Sequence, residues 1–327
     1  MKDANAKSVV KEKKRESPAG YHYYFSYLDN PRNFYLKYVL GLKPRWTAPP
    51  LIKGGAMHEA REKFLRTFNV QEMLDTYSEE MTSRMDEYED KGQGKADLEQ
   101  GLAMLSQWAF DLGKVYAEDY EILEIEQEHT LYIGPEQRYR HTVRPDTVVK
   151  DKKTGVVSVV DMKTTGWSAH KAVQQAAGED QITSYIWAME KEKPELKCRQ
   201  AIIDVLYSRK NKNGFSPTEV YLSDPIRRTQ LDLKIYELTI VGLIMEITQK
   251  VMATKNGVPW PLLFPRNGRI SGLFDDPYKD IARLDIKPGD VPPGFVADDW
   301  ASDMDEFINQ VPLEDYKIFD TGGKDEK

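Results

Sequence analysis

Cysteine is almost absent from this chain: Cys198 is the only one in 327 residues. It has no partner for an internal disulfide, and alone it cannot hold a structural zinc or an iron–sulfur cluster. Any metal must therefore rest on oxygen and nitrogen ligands. Long apolar runs are also missing. No stretch approaches the roughly 18 consecutive apolar residues of a membrane-spanning helix. The opening MKDANAKSVVKEKKRE carries charge with no apolar block behind it, so neither a secretion signal nor a membrane partner is expected, and the expected location is the cytoplasm. Positive charge is in deficit too, with a formal net charge of −7. The deficit is local, however: residues 298–327 hold ten acidic and three basic side chains, which leaves residues 1–297 neutral. A neutral body can still carry a basic groove, because phosphate responds to the local field and not to the sum. Charge neither supports nor excludes a DNA partner.

What remains is ordinary for a globular protein, at 40% apolar and 30% charged residues, with room for one large domain or two small ones. Residues 1–20 are lysine-rich without apolar periodicity, the composition of a disordered basic arm. An aromatic-rich segment follows at 23–42, with a turn at Asn30-Pro31 and helix-like spacing of Phe34, Tyr38 and Leu42. Helical periodicity is predicted for AMHEAREKFLRTF, where Met57, Ala60, Phe64 and Phe68 recur, and again over 71–90 and 97–119 around a break at KGQGK. The period then changes. Residues 121–133, 139–149 and 156–164 are short and β-branched between turn residues, which predicts three consecutive antiparallel strands. A helix is expected over 171–190, strands over 200–208 and 218–223 around the basic turn RKNKNG, and a helix opened by Pro225 and running to about 252.

Two carboxylates and a lysine stand out within this core. Asp146 ends VRPD, and Asp161 and Lys163 lie in VVDMKTT. If the second and third strands pair, the two aspartates meet near one end of the sheet. They repel unless a cation lies between them, and hard oxygen ligands select magnesium or manganese. Alternation along a strand points Asp161 and Lys163 to one side and Met162 to the other, which sets an ammonium beside the metal. Asp-x-Lys by itself is uninformative, since it occurs six times in the chain. Only the copy at Asp161 ends an apolar strand and follows Arg-Pro-Asp at hairpin distance.

The pair RPD and VVDMKTT resembles motifs II and III of the RecB-like exonucleases of the PD-(D/E)XK superfamily, which include nuclease domains of recombination helicases and CRISPR-associated proteins. The helix DQITSYIWAM is similar to that family's Q-x-x-x-Y motif, with Gln181 and Tyr185 on one face, and KGGAMHEARE resembles its G-x-x-H motif, with His58 as the histidine. The resemblance, which covers residues 23–283, implies an α/β (α+β) restriction-endonuclease-like core: a central mixed sheet flanked by helices, with a helical N-terminal insertion. It implies domain limits of 1–20 for the arm, 21–285 for the nuclease (helical part about 56–119, catalytic core about 120–253) and 286–327 for an acidic tail. It implies a magnesium- or manganese-dependent deoxyribonuclease. His58, Asp146, Asp161 and the Met162 carbonyl would hold the metal, Lys163 would be catalytic with the two aspartates, and Gln181 and Tyr185 would contact single-stranded DNA or duplex ends. A bacterial or phage-infected cell is the implied setting, in DNA recombination, repair or phage DNA processing.

The departures are informative. Relatives that carry a [4Fe-4S] staple place a cysteine where this chain has Asn30, and a cysteine cluster near the end, where WPLLFPRNGRISGLFDDPYKDIARL has none. The implication is a cluster-free member in which packing between 23–42 and 260–284 replaces the staple. Less specific signals are Glu126 or Glu128 as a further metal carboxylate, Arg209, Lys210 and Lys212 as phosphate contacts, Trp167 as a base-stacking side chain, and Trp187 as core. The acidic tail interleaves charge with Trp300, Met304, Phe307 and Ile308, a composition suited to docking a replication or recombination protein or to occupying the chain's own basic groove. A non-catalytic DNA-binding or assembly module and a structure-specific endonuclease are the rival readings of the same residues.

Overall fold

The structure is a computed structural model that describes residues 20–211, 214–265 and 286–298, together with positions 277, 278, 280, 281, 284 and 304. The chain opens with α1 (Tyr21–Asp29) and α2 (Pro31–Phe34). The turn at Asn30-Pro31 has a local cause: Pro31 suits the first helical position, and the Asn30 side chain accepts the Asn33 N–H at 3.3 Å. A wide helical turn over Tyr35–Val39 leads to β1 (Leu42–Pro44). Three long helices follow, α3 (Pro49–Thr67), α4 (Val70–Ser83) and α5 (Lys91–Trp108), then α6 (Lys114–Asp119). KGQGK does not break the helix as its glycines suggest; it forms the first turn of α5. Asp90 caps that turn by accepting the Gly92 N–H at 2.8 Å, and Gly94 is needed for packing, since a Cβ there would come 2.5 Å from Met85 Sδ.

The central sheet comprises β2 (Tyr120–Ile125), β5 (Thr147–Asp151), β6 (Val157–Thr165), β7 (Gln200–Tyr207) and β10 (Glu219–Leu222), in the order β10-β7-β6-β5-β2, with β11 (Ile226–Arg227) also on β7. Among the described residues of this sheet only β6 and β7 run parallel. The expected strands at 121–133 and 139–149 are each two strands. Chain direction breaks at Glu126, whose φ of 50° is left-handed, and at Pro145, which has no N–H to give a ladder. The halves β3 (His129–Ile133) and β4 (Tyr139–Val143) pair with each other outside the central sheet. The helix expected over 171–190 is likewise two, α7 (Ala169–Gly178) and α8 (Asp180–Glu192), separated at the extended Glu179. Beyond β7, a small hairpin of β8 (Lys210–Asn211) and β9 (Gly214–Phe215) precedes β10. The helix α9 (Gln230–Lys255) begins five residues later than Pro225 suggests, because the Thr229–Asp232 capping box starts it.

Alternation along β6 and β7 sends side chains into two cores. Val159, Ala201, Ile203 and Val205 pack with α1, α8 and α9, while Val160, Met162, Ile202 and Leu206 pack with α3, α4 and α5. Each fully buried Val or Ile is worth about 1.5–3 kcal/mol. A one-residue slip would exchange the faces and drive Asp161 into the wrong core, so this burial fixes the register on which the site depends.

The aromatic segment is held by the chain's far end. Tyr35 stacks on Trp260 at 4.9 Å between ring centroids, in α10 (Trp260–Leu263), and Arg32 lies 5.3 Å above the same indole. Arg32 also donates to the Phe264 carbonyl at 3.3 Å, and Tyr278 donates to the Leu42 carbonyl at 2.8 Å. The last strand, β12 (Phe295–Ala297), pairs with β1, and the Tyr23 hydroxyl reaches Met304 Sδ at 3.6 Å. Stacking and hydrogen bonds thus join the two segments for which the sequence offers no covalent staple. Trp260→Ala should lower unfolding free energy by roughly 3 kcal/mol, measured by denaturant titration; a change below about 1 kcal/mol would mean that this contact does not secure the closure.

Candidate metal centre

The site forms where β2 ends and β5 begins. Glu126 directly follows β2, and its N–H donates to the Asp146 carbonyl at 2.9 Å, which ties the two crossings together. Asp146 precedes Thr147, the first residue of β5, and is 7% exposed. The helix α3 lies over this junction and lowers His58 onto it. His58 Nδ1 is 3.6 Å from Asp146 Oδ2 and 4.0 Å from Glu126 Oε1. One ligand atom from each of the three lies within 4.8 Å of the other two. Arg144 holds the outer oxygen of Glu126 at 3.2 Å, so the carboxylate is fixed in orientation. Glu128, the other carboxylate considered from sequence, is exposed.

Strand β6 supplies the second half. The Met162 N–H donates to Asp146 Oδ2 at 2.7 Å, while the Met162 side chain is buried in the helix-facing core. Asp161 and Lys163 share a face as their alternation predicts. Lys163 Nζ donates to Asp161 Oδ1 at 3.2 Å and to Gln181 Oε1 at 2.7 Å, and Gln181 Nε2 donates to the Tyr185 hydroxyl at 2.8 Å. The Q-x-x-x-Y helix is therefore wired to Lys163 through one glutamine. Lys163 also approaches Asp161 Oδ2 to 3.0 Å as an ion contact, yet that oxygen is buried without a hydrogen bond.

Burial dominates the electrostatics. It raises the pKa of Asp161, against the Lys163 ammonium and with the Asp146 charge, and it raises Asp146 against Lys163, the Met162 N–H and Arg61. Burial opposes the Lys163 ammonium, but Asp161 and Asp146 outweigh it and its pKa rises. His58 is pulled down to about 3 by burial, then by Arg61 and Lys163; Asp161 and a Met162 backbone hydrogen bond act the other way. Its imidazole is neutral at physiological pH, the form that binds metal. Close carboxylates, a neutral imidazole and a buried Asp161 oxygen that accepts no hydrogen bond fit a hard divalent cation.

A second buried network was not anticipated. Asp204 on β7, in register with Met162, accepts from Trp108 Nε1 at 3.0 Å and from the Tyr116 hydroxyl at 2.9 Å, and lies 3.6 Å from Arg61 Nη1. Both charges are fully buried. Arg61 is one turn beyond His58 on α3, so the pair pins the histidine's helix to the sheet. The sequence signal was present in the charged residue that interrupts QAIIDVLYS. Arg209 is exposed just after β7, and Trp167 is 42% exposed just past β6. Trp187 is buried against His141 and Tyr236 as core. The Lys210 side chain and Lys212 lie outside the described residues.

These pKa directions give a stability prediction. A carboxyl whose folded pKa is raised favours the folded state below its unfolded pKa, and that contribution is lost as pH rises through the folded pKa. Asp161→Asn should therefore raise the melting temperature of metal-free protein at neutral pH, with the gain shrinking as pH falls toward the ordinary carboxylate range. Thermal melts in EDTA across that range check it, and a gain that grows at low pH would contradict the assignment.

A family model described as the PD-(D/E)XK nuclease superfamily matches residues 22–256, from α1 to the end of α9. A search of curated proteins returned no match. The matched span contains the mixed sheet, its flanking helices and the whole His58–Glu126–Asp146 cluster, and the chain belongs to the PD-(D/E)XK nuclease superfamily.

Proposed function

We propose that the protein is a magnesium- or manganese-dependent deoxyribonuclease of RecB-like type, acting as an exonuclease on single-stranded DNA or duplex ends during recombination, repair or phage DNA processing. The observation that carries this reading is the convergence of His58, Glu126 and Asp146, with Asp161 and Lys163 beside them, at one end of the mixed sheet. The body spans about 21–285, with β12 joined to it, between the basic arm and the acidic tail. Among the described residues no helix is long and apolar enough to cross a membrane.

His58, Glu126, Asp146, Asp161 and the Met162 carbonyl would hold the cation. When bound it would lower the pKa of an attacking water and offset charge building on the phosphoryl oxygens. Glu126 adds the carboxylate that sequence left open between two positions. Lys163 directs its ammonium to the reacting phosphate and water, with Asp161 on one side and Gln181 on the other restricting its rotamers. Gln181 and Tyr185 line the substrate strand, and Arg209 and Lys210 contact phosphates farther out. No step requires an iron–sulfur cluster.

Incubation with end-labelled linear DNA and covalently closed circles, in magnesium, manganese or EDTA, tests this. Metal-dependent release of short products from the linear substrate alone is expected; cleavage of closed circles would make it an endonuclease. Asp161→Ala and Glu126→Gln should each lower turnover by at least ~100-fold with weaker Mn2+ binding, whereas Lys163→Ala should lose comparable turnover yet keep the metal. Wild-type turnover in Asp161→Ala would remove the proposal.

A further inference from the structure

We infer that Lys53 marks an anion subsite beyond the metal centre that takes a backbone phosphate of the substrate strand. This inference rests on the deoxyribonuclease reading above and extends it to how the strand is held. Lys53 is on α3, five residues before His58, which sets the two side chains about 7.5 Å apart along the helix axis and about 140° apart around it. Its side chain is nine-tenths buried. Nζ donates to Gln100 Oε1 and lies 5.9 Å from the Phe215 ring centroid, and among the described residues no carboxylate reaches it within ion-pair distance. Buried ammonium groups are normally paired. Among the described residues one neutral acceptor meets Nζ, and Asp97 acts on it only from beyond ion-pair distance. Burial draws the pKa of Lys53 down to about 8 with only Asp97 opposing, so the group is still charged at neutral pH.

The surroundings connect this cation to the metal centre. Gln100 Nε2 donates to Ser208 Oγ at 3.0 Å, Ser208 Oγ to the Ser216 carbonyl at 3.1 Å, and the Arg209 N–H to Ser216 Oγ at 2.9 Å. Lys53 thus stands at the foot of the β8–β9 hairpin. The Ser208 N–H donates to the Thr165 carbonyl at 3.3 Å, which places the hairpin on the same C-terminal edge of β6 and β7 that carries Lys163. Trp167, just past β6, and Phe215, on β9, are both exposed at this edge and offer ring faces to unpaired bases. Gly54 adds an independent observation. A glycine inside a helix is destabilising relative to alanine, and here no packing explains it, since a Cβ at Gly54 would meet nothing within 4 Å. The missing side chain leaves the helix surface open for a strand's backbone next to Lys53.

The test uses the full chain in EDTA with a fluorescein-labelled single-stranded oligonucleotide, read by anisotropy over a salt series. Lys53→Met should weaken binding about tenfold at low salt and reduce the slope of log affinity against log salt by about 0.7. Gly54→Ala should melt at a higher temperature than wild type and still bind the oligonucleotide more weakly, an opposition that a purely structural glycine does not produce. That variant carries the test if Lys53→Met fails to fold. Inorganic phosphate separates the two possible sources of the anion: stabilisation of wild type but not Lys53→Met, with oligonucleotide affinity unchanged, would mean a free-anion site and overturn the strand assignment. Wild-type affinity and slope in both variants would overturn the subsite alone, while failure of the wild type to bind or cleave DNA would remove the nuclease reading with it.

Discussion

Four carboxylates, Glu126, Asp146, Asp161 and Asp204, gather around one sheet, with Asp161 and Asp204 on its opposite faces, and the surrounding structure is organised by the need to compensate them. Burying a carboxylate is costly, and burying several together adds repulsion. The chain answers each one differently. Asp204 receives Arg61, Trp108 and Tyr116, Asp161 receives Lys163, and Glu126 receives Arg144. Asp146 receives the Met162 N–H and a neutral histidine directly, with Lys163 and Arg61 acting on it from farther away. Compensation is therefore least complete where Asp146, Glu126 and His58 converge, which is where a divalent cation would offset the remaining charge.

The fold makes this unequal distribution possible. Parallel pairing of β6 with β7 sets Asp161 and Asp204 on neighbouring strands, and the two cores on opposite faces hold their register. The fully buried Arg61–Asp204 pair gives α3 a fixed anchor one turn from His58. A buried pair of this kind is weak evidence for stability, because desolvation offsets its attraction. Its contribution here is geometric: it sets the distance of the imidazole from the two acidic crossings. The backbone bond from Glu126 to Asp146 sets the remaining coordinate.

Much of this was legible in the residues. Alternation placed Asp161 and Lys163 together, helical spacing placed Gln181 and Tyr185 together, and the structure adds that the two pairs meet through the Lys163–Gln181 bond. Local pattern failed where tertiary packing overrode it. The glycines of KGQGK looked like a break, yet Gly94 admits Met85 and Tyr88 against the helix, which no local pattern reveals. Glu126 could not be separated from Glu128, since the choice turns on a left-handed residue between strands of two different sheets. Arg61 and Asp204 are 143 positions apart in the sequence, and only the assembled sheet makes them partners.

A cation is proposed to complete the convergence of His58, Glu126 and Asp146. Anomalous diffraction from crystals soaked in manganese tests it most directly. A single strong peak or a close pair is predicted within bonding distance of His58, Glu126 and Asp146, with Asp161 as a further ligand. A map with no peak there, or with the Lys163 ammonium seated between the carboxylates in its place, would contradict the account.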